Sequence, residues 1–148
     1  MAHQFPDLTT YGSALRFAFE AEPACADLAA AAGVLAPDQA WRDKLEEIVC
    51  THDDRVAKLA STRQETESSS AEGVSLDASV YLGALDAEPD IHWPGAVEQL
   101  ARAEEDAARF HDDFAVQCAA MLGDRARLFE KSATQDRAAG ERLRDMLS

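Results

Sequence analysis

The feature that most constrains this chain is a recurrence of apolar side chains every three or four residues, a spacing that a helix gathers onto one face and a strand scatters over both. It is plainest over residues 41–59. There Trp41, Leu45, Ile48, Val49, His52, Val56 and Leu59 make one stripe, while Arg42, Asp43, Glu46, Asp53, Asp54 and Lys58 fall on the other side. A helix with one apolar and one charged face must bury the apolar face against other helices. The rest of the sequence agrees: it is rich in Ala, Leu, Glu, Arg and Asp, with 7 Gly and 5 Pro among 148 residues, which favours helix over sheet. The expected fold class is all-α, in one domain covering 1–148.

Four long helices are predicted. The first runs from Thr9 or Thr10 to Ala32, with Gly33 placed to end it. Pro23 lies inside it, and because proline removes a backbone hydrogen bond, a kink or break is expected near Phe19 to Glu22. The second opens at Pro37, whose fixed φ suits a first helical position, with Asp38 at the positive end of the dipole. From Glu65 the polar stretch ETESSSAEGVSLDAS breaks the periodicity, and a short helix is expected at Val80 to Leu85. The third helix runs from Pro94 toward Leu122, with Val97, Leu100, Ala101, Glu104, Ala107, Ala108, His111, Phe114, Ala115 and Cys118 along its inner side. Gly123 and Asp124 supply a stop and an N-cap. The fourth carries Leu128, Phe129, Ala133, Asp136, Ala139, Leu143 and Met146 inward. The expected organisation is two helical hairpins, 9–64 and 94–147, joined by a crossover over 65–93 that is long enough to pass from one end of a bundle to the other.

Charge excludes some functions. With 28 acidic and 14 basic side chains the net charge is −14, which repels nucleic-acid phosphates and anionic membrane surfaces. No apolar run approaches the roughly 18 residues that would span a bilayer, and MAHQFPDLTT lacks the pattern of a secretion signal. The expectation is a soluble, cytoplasmic protein with no nucleic-acid or membrane partner. Cys25, Cys50 and Cys118 are widely spaced and form no CxxC pair, so neither a disulfide framework nor a zinc site is expected. Cys50 and His52 point in different directions on a helix, so Cys50 reads as a buried structural thiol. No nucleophile stands near a base at a recognisable spacing, and there is no phosphate-binding glycine loop. No catalytic residue is assigned.

The two hairpins are related to each other. A shift of 84 residues lays Leu45, Val49, His52, Arg55 and Leu59 on Phe129, Ala133, Asp136, Ala139 and Leu143. A shift of 86 lays Ala21, Cys25, Leu28 and Ala29 on Ala107, His111, Phe114 and Ala115. In this register the third helix, QLARAEEDAARFHDDFA, resembles the A-x3-E-x6-Y helix of the rubrerythrin-like branch of the ferritin-like superfamily. Glu104 stands at that family's metal-ligand position and His111 at its Tyr. The resemblance covers nearly the whole chain outside the crossover, and it implies a ferritin-like four-helix bundle of two hairpins.

It also implies a di-metal centre whose ligands are largely replaced. The fourth helix has Asp136 and Ala139 where the family has the Glu and His of ExxH, the second has His52 and Arg55, and the first has Ala18 at its Glu position. Of six implied ligands only Glu104 is retained. A carboxylate-bridged pair of divalent cations needs several anionic oxygens, and a guanidinium aimed at the same place adds permanent positive charge. The leading expectation is therefore a non-catalytic bundle, without cofactor, that acts through protein association as a homodimer or with an unidentified partner. Arg55, with His52, would pair with Glu104 and Asp136 in the old metal cavity, and all four should then be neighbours. The alternative is a metal-binding protein or di-iron oxidoreductase, holding iron or another divalent metal through Glu20 (or Glu22, if the bend at Pro23 turns one inward), His52, Glu104 and Asp136.

Overall fold

The computed structural model describes residues 5, 6, 8, 10–66, 75–119 and 123–148, with the backbone alone for 61–66 and 123–125. Five helices account for nearly all of them: α1 (Tyr11–Leu35), α2 (Gln39–Thr66), α3 (Ser79–Leu85), α4 (Gly95–Cys118) and α5 (Gly123–Leu147). Among the described residues there is no strand, only an isolated antiparallel bridge between Leu8 and Leu76. The chain is all-α. None of its described helices is long and apolar enough to cross a membrane.

The helix ends follow side-chain chemistry. Thr10 caps α1 in a reciprocal box, its Oγ1 accepting from the Ser13 N–H at 3.1 Å while the Ser13 hydroxyl accepts from the Thr10 N–H at 3.0 Å. Pro23 does not break α1, which is continuous from Tyr11 to Leu35. The lost backbone bond is outweighed by burial of the Ala-rich stripe Ala14, Ala18, Ala21, Ala29 and Ala32, each at most 1% exposed. Nor does Gly33 end the helix. It runs on to Leu35, and Ala36 turns extended (φ −60°, ψ 133°), as the residue before a proline must when the ring of Pro37 crowds the helical conformation. Pro37 consequently lies outside α2; the N-terminal cap is Asp38, whose carboxylate accepts the Trp41 N–H at 3.0 Å. Pro94 likewise precedes α4, which begins at Gly95 and ends at Cys118 short of the expected Leu122. Gly123 is the first residue of α5 rather than a stop, and the expected cap side chain of Asp124 lies outside the described residues, as does most of the polar part of the crossover.

Helices α1 and α2 pair as one hairpin and α4 and α5 as another; α1 packs on α4, and α3 packs on α4 and touches α1. Alanines along α1 let these backbones approach closely. At the α4–α5 crossing the small residue is Gly140, where a Cβ would stand 3.3 Å from the Ala101 carbonyl oxygen and 3.2 Å from Glu105 Cγ. Near one end the rings of Phe17, Phe110, Phe114 and Phe129 pack in sequence, each tilted against the next, with centroids 4.6–5.6 Å apart. Tyr81 of α3 joins them edge-on while its hydroxyl donates to Asp113 at 2.5 Å. Near the other end Trp41 and Trp93 meet edge to face at 4.9 Å. Along α1 and α4, between these two apolar zones, the core turns polar.

Candidate functional site

Four helices each contribute side chains to this polar centre. Glu22 and Cys25 are three residues apart on α1, His52 and Arg55 three apart on α2, Glu104 and His111 seven apart on α4, and Asp136 comes from α5. These spacings place each pair on one helix face. All seven are buried, Arg55 being the most accessible at 6%.

His52 is held from both sides, with Nδ1 3.0 Å from Glu22 Oε1 and Nε2 2.6 Å from Glu104 Oε1. Because both ring nitrogens face carboxylate oxygens, an imidazolium donates twice; a neutral ring requires that one carboxyl carry the proton instead. Arg55 donates through Nη1 to Asp136 and, at 3.3 Å, to Glu22, and through Nη2 to Gln135 Oε1 at 2.8 Å and the Ser132 carbonyl at 3.4 Å. His111 Nδ1 lies 3.0 Å from Asp136 Oδ2, and its ring stacks on Phe129. Two buried atoms, Arg55 Nε and Glu104 Oε2, have no hydrogen-bond partner among the described residues.

The electrostatics follow. Three carboxylates face one guanidinium, so two negative charges are left for protons to offset. Burial works to lower the pKa of His52, but Glu104 and Glu22 outweigh it and hold the ring's pKa well above its ordinary value. Burial pushes Glu104 up to about 7, against the opposing pull of His52. Asp136, despite burial, is held down to about 2 by its hydrogen bond to His111 and by Arg55. Burial would lower Arg55, but Asp136 and Glu22 raise it further above its usual range. Burial, and then Glu104, Asp136 and Glu22, push the Cys25 thiol well above its ordinary value, so it rests as a neutral thiol and not as a nucleophile.

A cleft of about 400 Å³ between α2 and α5 reaches this centre, with His52, Arg55, Glu104 and Asp136 on its floor, Ala138 and Ala139 on one wall and Lys44, Glu47 and Arg142 at its mouth. No protein-family model, curated protein or solved structure matches the chain.

Of the residues singled out from sequence, His52, Arg55, Glu104 and Asp136 are brought together as neighbours. Glu20 is not: it is half-buried, two residues off the stripe that carries Glu22 and Cys25, and does not converge with the buried donors of the centre. Glu22 takes the place, and no break at Pro23 is needed to turn it inward. Its position was readable, since Ala18, Glu22, Cys25 and Ala29 recur at spacings of three and four. Cys25 and His111 were not among the predicted site residues, although the internal duplication lays one on the other. Cys50 is exposed and not buried; Val49 and Val56, expected in the core, are half-buried.

Two divalent cations do not fit these residues. The guanidinium of Arg55 is bonded to two of the three carboxylates that would have to bridge them, and it cannot give up its charge.

Proposed function

We propose that this chain is a non-catalytic, ferritin-like four-helix bundle whose buried ion-pair cluster stands where that family holds two metals, and that it works through association with protein, as a homodimer. The observation that carries this reading is Arg55, which reaches from α2 to Glu22 on α1 and to Asp136 on α5. Those contacts tie three helices together with a fixed positive charge in the position a cation would otherwise fill. The pairing of α1 with α2 and of α4 with α5, with the crossover between them, supports the family reading. Three free cysteines suit a reducing compartment such as the cytoplasm.

The test is metal stoichiometry. Purified protein is incubated with iron(II), manganese(II) and zinc(II), freed of loose ions and analysed by mass spectrometry, while its mass in solution is measured by sedimentation. A dimer carrying fewer than two ions per chain is expected. Two tightly held ions per chain would overturn the reading.

A further inference from the structure

Two groups of three donors converge in the polar centre: Glu22 with His111 and Asp136, and Cys25 with His52 and Glu104. In each group one ligand atom per residue lies within 4.8 Å of the other two. The first group is occupied, because Arg55 is bonded to both of its carboxylates. The second has no such occupant. The bonds of Arg55 go to Glu22, Asp136, Gln135 and Ser132, and to none of Cys25, His52 or Glu104.

We propose that Cys25, His52 and Glu104 form a binding site for a single thiophilic divalent cation of the zinc class. A thiolate, an imidazole and a carboxylate are the mixed S, N and O donors that zinc takes in its three-ligand sites. The inference does not depend on the family reading, since that family's centre uses carboxylates and histidines from ExxH helices and no cysteine.

Three further observations support the site. Glu104 is fully buried, yet its Oε2 has no hydrogen-bond partner among the described residues, and a buried carboxylate oxygen is costly to leave unpaired. His52 is already oriented for coordination. Its Nδ1 rests 3.0 Å from Glu22, itself anchored by Arg55, and its Nε2 is turned toward Glu104. That is the carboxylate–histidine arrangement that fixes the ring tautomer behind a metal-binding nitrogen. Finally, His52 and Glu104 floor the cleft between α2 and α5, which gives an ion a path in and leaves its fourth ligand to be water. Binding exchanges one divalent ion for two protons, the one shared by His52 and Glu104 and the one on the Cys25 thiol, so the buried centre keeps its net charge.

Cobalt(II) reports on such a site because cobalt bound to thiolate absorbs in the near ultraviolet. Titration of the full chain, stripped with chelator and checked for helicity, is expected to saturate at one ion per chain with a thiolate-to-cobalt band, and zinc should displace the cobalt. Cys25→Ser should abolish the band, and Cys50→Ser, which removes an exposed thiol, should leave it unchanged. Glu22→Gln should keep the band but weaken binding by about 10- to 100-fold, as expected on loss of a ring-orienting carboxylate. Zinc-edge X-ray absorption on the unaltered protein, which needs no variant to fold, should find one sulfur among the ion's nearest neighbours. The proposal is overturned by an absence of saturable binding, by a band that survives Cys25→Ser or vanishes with Cys50→Ser, by unweakened binding in Glu22→Gln, or by a coordination sphere with no sulfur.

Discussion

The two halves of the buried centre solve the same electrostatic problem in different ways. Around Glu22 and Asp136 the compensating positive charge is covalent, carried by a guanidinium that cannot titrate. Around Glu104 it is a proton on or beside His52, which pH or a competing cation can remove. One half is fixed when the chain folds, and the other stays exchangeable. The difference turns on one side chain: Arg55 fills the group formed by Glu22, His111 and Asp136 and leaves the group formed by Cys25, His52 and Glu104 open.

The largest effect should come from removing the fixed charge. Arg55→Leu leaves Glu22 and Asp136 facing each other without their shared partner, and should cost about 3 kcal/mol. For a chain of this length that is a fall in melting temperature of roughly 10 °C. An unchanged melting temperature would mean that the guanidinium holds nothing together.

The difference is sharpened by pH in metal-free protein. Glu104 and His52 both have folded pKa values above their unfolded ones, so the stability they contribute is fully present at low pH and lost as pH rises. For Glu104 the loss runs from its ordinary 4.5 to about 7, and should amount to on the order of 3 kcal/mol. Asp136 works in the opposite sense. Its depressed pKa contributes stability above its ordinary 3.8 that disappears as pH falls toward about 2. Denaturant midpoints measured across this range should therefore decline at both ends, and Glu104→Gln should flatten the neutral side only. A midpoint that rises between pH 5 and 7 in the unaltered protein would contradict this assignment of charges.

Arg55 and Asp136 of the fixed half and His52 and Glu104 of the exchangeable one were legible in the sequence, and each half held one residue that was not, His111 and Cys25. Arg55 and Asp136 interrupt apolar stripes, and a charge at such a position signals a buried pair. Cys25 interrupts nothing, because a thiol on an apolar face reads as one more small hydrophobic side chain. Helix existence was legible from periodicity alone. Helix ends were less so: Gly33 carries the usual stop signal, but steric restriction by Pro37 acts three residues later, and burial of the alanine stripe holds α1 together through Pro23. Such outcomes depend on packing between segments distant in sequence. Glu22 and Glu20 are distinguished only by which one shares a face with Ala18 and Cys25.

A smaller effect is expected from His111→Phe, which keeps a ring against Phe129 but removes the donor to Asp136. It should cost about 1.5 kcal/mol and shrink the acid limb, because a less depressed Asp136 has less stability to lose as pH falls. The smallest should come from the surface. Arg144 grips Glu105 with two bonds of 2.7 Å, but the side chains are 47% and 39% exposed, so Arg144→Ala should cost less than about 0.5 kcal/mol. If this pair proved as costly to break as Arg55 with Asp136, burial would not be what separates them.

Anomalous diffraction at the zinc edge, from crystals of the protein soaked in zinc, tests the division of the centre most directly. One peak per chain is predicted, among Cys25, His52 and Glu104, with Arg55 still bonded to Glu22 and Asp136. Two peaks, no peak in the centre, or a single peak between Glu22, His111 and Asp136 with Arg55 displaced would contradict it.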